Sequence, residues 1–209
     1  GGLGGGRDVG VGGRAEATVL PAWDLKALVA HSPWVVVATV QRQGTQVDPT
    51  DGSIYTITVL EVEEYVVGEG DGETELKIRQ RGGAAGGLRQ YVPGNAVLVP
   101  GERWVLFLEP GTGPFKVIVG MALGAYQITE PDPSAENPTT NPTTTNPTTT
   151  KIPIIRRAPG AVTVDANPEP GALPSSGALS ISLESCNGLT LDQFLSQIRL
   201  TAAAQERQP

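Results

Sequence analysis

Histidine and cysteine occur once each in this chain of 209 residues, as His31 and Cys186. Metal centres and nucleophilic triads bring several such side chains together, so neither chemistry is expected. A lone cysteine also excludes an internal disulfide. His31 reads as a residue at the end of a helix, and Cys186, between Ser185 and Asn187, as a small buried filler, with an intermolecular disulfide as the alternative. No run approaches the roughly 18 consecutive apolar residues of a membrane span. Dense Lys or Arg runs are missing too, and the net charge is −7, so nucleic acid and anionic membrane surfaces are disfavoured partners.

Carboxylates are plentiful but badly placed for catalysis. Glu61, Glu63, Glu64, Glu69, Asp71, Glu73 and Glu75 fall on the solvent phase of strands or in a turn, without EF-hand spacing. Their reading is a solvated face, with a calcium-binding turn as the alternative. Gly10-Val11-Gly12-Gly13-Arg14-Ala15 loosely matches a dinucleotide loop, yet lacks the strand before it and the helix after it. No cofactor and no metal are expected, and the chain is read as not an enzyme.

What the sequence does hold is 27 Gly, 18 Pro and 39% hydrophobic residues gathered in short β-branched runs. That combination predicts a mainly β fold with one modest core. Val9, Val11, Ala15, Ala17 and Val19 alternate with Asp8, Arg14, Glu16 and Thr18, the period of a half-buried strand. Residues 1–20 are thus read as an extended arm, against the alternative of a flexible leader, since Gly interrupts the pattern. Leu25, Leu28 and Val29 predict a short helix over Trp23–His31, stopped by Ser32-Pro33.

Strands are expected over 34–42, over IYTITVLEVEEYVV after the turn Asp48 to Gly52, over 73–81, 103–109, 115–119 and 125–129. In the second of these the apolar phase slips by one between Val59 and Leu60, as at a β-bulge. Bulged long strands bend small barrels closed. RWVLFLE is apolar nearly throughout, the mark of a strand covered on both faces. The glycine-rich stretch RGGAAGGLRQYVPG reads as a loop.

From Asn137 to Thr150 the chain repeats NPTT and NPTTT, a composition that favours extended polyproline geometry and could reach on the order of 40 Å. Each Asn there precedes Pro, so none is an N-glycosylation acceptor. Thr139, Thr140, Thr143, Thr144, Thr145, Thr148, Thr149 and Thr150 are candidates for O-linked glycans, an unmodified spacer being the alternative. Ile152, Ile154, Ile155, Val162 and Val164 could dock on a sheet edge, and ALSISLES alternates like a strand. Thr190, Gln193, Leu189 and Phe194 supply a capping box and staple for a helix over Thr190–Leu200. Its apolar face needs a core, so 21–209 is read as a single β-barrel domain with a Pro/Thr-rich insertion at about 131–176.

DLKALVAHSPWVVVATV, VPGERWVLFLEPGTGPFKVIVGMALGAYQI and GLTLDQFLSQIR resemble segments of uncharacterised secreted bacterial proteins with an OB-like five-stranded β-barrel. The resemblance implies an OB-like small barrel with a short N-terminal helix and a C-terminal helix, and brings no catalytic residues. The arm and the Pro/Thr insertion depart from that pattern. Residue 1 is Gly, which supports processing on export and an extracellular or cell-surface location. Two functions are expected to compete. The first is a structural subunit of a surface filament, a homopolymer whose arm adds a strand to a neighbouring copy through Val9, Val11, Ala15, Ala17 and Val19. The second is a monomeric secreted OB-like binding or inhibitor module acting through the glycine-rich loop and the acidic turn.

Overall fold

The computed structural model describes residues 23–70, 72–130, 153–158 and 183–207. The fold is mainly β. The arm at 1–20, with Val9, Val11, Ala15, Ala17 and Val19, and the candidate glycan threonines Thr139 to Thr150 lie outside the described residues.

Helix α1 (Leu25–Ala30) starts where the Asp24 carboxylate accepts from the Ala27 N–H at 2.7 Å, and it buries Leu25, Leu28 and Val29. His31 is its C-cap, with its ring 4.8 Å from that of Trp23. The Ser32 hydroxyl donates back to the Leu28 carbonyl at 2.6 Å. Strand β1 (Trp34–Val47) and β2 (Ile54–Val67) then form a long antiparallel pair. Their connection is closed by the Gly52 N–H on the Asp48 carbonyl at 2.9 Å.

The bulge is present at the expected level, but its extra residue belongs to the partner strand. Val40 pairs with Leu60 and Arg42 with Val59, leaving Gln41 on β1 unmatched. Two further shifts, between Val35 and Val36 and between Val37 and Ala38, leave Val66 and Glu63 unmatched on β2. Three irregularities within one pair bend it strongly.

Strand β3 (Glu75–Arg81) pairs with β2, and β6 (Arg103–Pro110) pairs with the first half of β1. Between them in sequence, β4 (Gly83–Ala85) and β5 (Leu88–Gln90) form a small separate hairpin. β7 (Lys116–Ile118) pairs with β6 and touches β3 in parallel at the single pair Ile78 and Lys116. Five strands therefore form a ring in the order β1-β2-β3-β7-β6 and back to β1. One residue pair is thin closure, so the ring is not a clean barrel. The extended segment after β5 packs beside β3, turning Ala96 and Leu98 into the ring interior and leaving Val97 and Val99 exposed.

Side chains of β6 explain its continuous apolar run. Trp104, Leu106 and Leu108 point into the ring with Val36, Ala38, Leu60 and Ile78. Val105 and Phe107 point outward, where with Val35 and Val37 they meet a helical layer. That layer contains α1 and α2 (Leu191–Glu206), whose Phe194, Leu195 and Ile198 are buried. The capping box of Thr190 and Gln193 is present. α2 runs past Leu200 because Ala202 to Ala204 are the strongest helix formers and Gln205 donates to the Lys26 carbonyl at 2.8 Å, tying the two helices.

Strand β8 (Ala125–Thr129) pairs with β6, and β9 (Ile154–Arg157) pairs with β8. This is the docking expected of Ile154 and Ile155, and it places a sheet strand inside the 131–176 stretch, while Ile152, Val162 and Val164 lie outside the described residues. Two expectations need correction. The end of ALSISLES is not a strand, since Leu183–Cys186 is a 3-10 helix whose Leu183 and Cys186 are buried against the helical layer. The glycine-rich stretch is not a plain loop, because Gly86 and Gly87, both at positive φ, make the tight turn of the β4–β5 hairpin.

Candidate functional site

Beyond Val40, β1 leaves the helical layer behind, and every residue from Gln41 to Val47 is exposed. The hairpin lies over this bare half. The Thr45 hydroxyl donates to the Ala84 carbonyl at 2.6 Å and the Thr56 hydroxyl to the Gly82 carbonyl at 2.8 Å. Gly83, at φ 131°, makes the close approach feasible: a Cβ there would stand 2.7 Å from both Thr45 Cγ2 and Thr56 Oγ1. The segment after β5 is fixed by Asn95, which donates to the Arg81 carbonyl at 2.6 Å, and by Gln80, which donates to the Ala96 carbonyl at 3.3 Å.

Between hairpin, segment and the ends of β2 and β3 opens a cleft of about 510 Å³. Its lining includes Arg81, Arg89, Asn95, Tyr91 and Val97, with amides from Gln43, Gln80 and Gln90. No carboxylate, histidine or cysteine lines it among the described residues. It offers hydrogen bonds, cationic contacts and apolar surface, and no group to abstract a proton near neutral pH. Large apolar side chains are exposed on the same stretch: Leu88 at 70%, Tyr91 at 81%, Val97 at 61% and Val99 at 46%.

The acidic residues singled out by sequence are scattered into separate contacts. Glu63 holds Arg103 at 2.5 Å and accepts from Thr39 at 2.7 Å, Glu64 pairs with Arg199 of α2, and Glu61 accepts from Gln41. Glu75 lies 3.7 Å from Arg42 and 3.9 Å from Lys77. Glu69 and Glu73 lend backbone carbonyls to Trp34 Nε1 and the Tyr65 hydroxyl, and Asp71 lies outside the described residues. Among the described residues no three His, Cys, Asp or Glu side chains gather as for a metal ion. Cys186 is fully buried, and burial pushes its thiol up to about 11, so little of the thiolate needed for disulfide exchange is present near neutral pH. No helix among the described residues is long and apolar enough to cross a membrane.

The β1–β2 turn carries a charged network that reaches the cleft through Arg81, which lies 3.7 Å from Asp51. The Thr50 N–H and the Arg79 guanidinium hold the Asp48 carboxyl below the usual carboxylate range, and the Ser53 N–H and hydroxyl do the same for Asp51. Arg103 and Thr39 depress Glu63. Arg79 reaches Asp48 at 2.6 Å while lying 3.6 Å from the centre of the Tyr55 ring. A carboxyl depressed on folding adds stability above its unfolded value and loses it as pH falls through its folded one. Urea midpoints should therefore hold level above about pH 5 and decline through pH 4 and below. Asp48→Asn should flatten that decline, which titration of the midpoint from pH 6 to pH 2 measures.

Comparison with known proteins finds no family model and no curated relative that matches the chain.

Proposed function

We propose that this chain is a non-catalytic extracellular structural protein, a subunit of a surface filament joined by β-strand addition of its N-terminal arm to the next copy. The observation that carries this reading is the separation of the fold's two ends. The arm leads into Trp23, which packs on the helical layer beside the start of β1. The bare end, with its exposed apolar side chains, lies at the far half of β1, beyond the shift at Gln41. A donor at one end and an acceptor at the other give a head-to-tail contact, which propagates into a filament unless its rotation closes a ring.

The order of the five-stranded ring, in which β3 meets β7 in parallel, supports an OB-like architecture of the kind seen in the resembling secreted bacterial proteins. Location outside the cell is supported by the clustered Thr and Pro of the NPTTT tract, with Thr139, Thr140, Thr143, Thr144, Thr145, Thr148, Thr149 and Thr150 as its glycan acceptors. A second reading, a monomeric binding or inhibitor module, is favoured by the polar lining at Arg81, Arg89 and Asn95.

Quaternary state separates the two. Negative-stain microscopy and sedimentation of the full chain are expected to show polymers, and deletion of residues 1–20 is expected to leave folded monomers. A full chain that stays monomeric at every concentration, with 1–20 open to protease, sinks the filament reading.

A further inference from the structure

We infer that the acceptor for the arm is the cleft between the β4–β5 hairpin and the segment that follows it, with residues 9–19 of a second copy seated against Tyr91 and Val97 beside the open edge of β5. This deepens the filament reading and rests on it.

Two independent features converge there. Among the described strands, β5 pairs only with β4, so its other edge offers backbone groups to an added strand. The apolar residues around it are exposed without a structural reason in the monomer: Ala96 and Leu98 already plug the ring, so Val97 and Tyr91 are surplus to the core.

The composition of the arm suits a narrow site. Its inward residues are small, Val and Ala, and Gly10, Gly12 and Gly13 let the backbone approach a wall closely. The arm of the same chain emerges at the other end of β1, next to α1. Seating it in trans is the arrangement that links copies end to end.

A disulfide-trapping experiment on the full chain tests the contact. Val11→Cys and Val97→Cys together, oxidised under assembling conditions, should give a ladder of covalent oligomers on non-reducing gels, and neither single variant should. Cys186, being buried, stays out of the exchange. Separately, Tyr91→Glu and Val97→Glu, both at exposed positions, should leave the circular dichroism and melting curve of the subunit unchanged while raising the critical concentration for assembly roughly tenfold or more. Filaments without a ladder, or Glu variants that assemble like the parent, would overturn the acceptor and leave the filament reading standing. A covalent monomer in the double variant would place the arm in its own cleft and overturn the contact in trans. A full chain that never assembles removes both.

Discussion

Phe194→Ala is expected to lower the unfolding free energy by about 3–5 kcal/mol, the cost of emptying a fully buried aromatic site. Phe194 is 0% exposed, with its ring 4.7 Å from Tyr126 and 6.3 Å from Phe107. Those two partners stand on β8 and β6, so the cavity would open against the outer face of the ring. Little can collapse into it, because Leu25, Leu28 and Ile155 are themselves fully buried around the same layer. Trp104 is enclosed on the other face of β6, inside the ring. Urea unfolding followed by tryptophan fluorescence and by far-ultraviolet circular dichroism should therefore shift together, as one cooperative transition. Separate transitions, or a loss under about 1 kcal/mol, would mean that α2 and the ring do not share a core.

Gly83→Val is expected to cost about 3 kcal/mol and to strike the cleft first. At φ 131° the residue occupies backbone space that L side chains rarely enter, and the new Cβ would collide with Thr45 and Thr56 at 2.7 Å. Relief requires the hairpin to lift from β1 and β2. Lifting breaks the bonds from Thr45 to Ala84 and from Thr56 to Gly82. Hydrogen exchange should accelerate across 83–90 more than across β6. Gly44→Ala serves as the control, since nothing lies within 4 Å of a Cβ there, and its effect should stay within about 0.5 kcal/mol. Equal exchange in the two variants would show that Gly83 does not hold the hairpin down.

Much of the sheet was legible because its residues announce their faces locally. Alternation marked β3, and the solid apolar run of β6 marked a strand covered on both sides, as Trp104 and Phe107 confirm from opposite faces. The helix at Leu191 was legible from Thr190 and Gln193 alone. The bulge was harder to place. A phase slip at Leu60 shows that two strands fall out of step, not which of them holds the extra residue, and here it is Gln41 across the pair.

The cleft was hidden for a different reason. Its walls come from stretches with no period, and they are fixed by side chains bonding to distant carbonyls, Asn95 to Arg81 and Gln80 to Ala96. A signal was nevertheless present. Ala85-Gly86-Gly87-Leu88 is a two-residue turn with glycine at both positions that need positive φ, flanked by residues that pair. Leu88, Tyr91, Val97 and Val99 in so glycine- and proline-rich a stretch were also more apolar than a solvated loop requires.

The pairing of β8 with β9 fixes what a change in the length of the Pro/Thr tract would cost. Thr129 and Ile154 are register partners, so the chain leaves the sheet and re-enters it at one point. Closing a longer connection across a fixed gap is cheap, since doubling its length adds only about 0.6 kcal/mol of closure entropy. The number of NPTTT repeats is thus nearly free to drift, lengthening what lies between two paired strands while the ladder that anchors both ends keeps its strength.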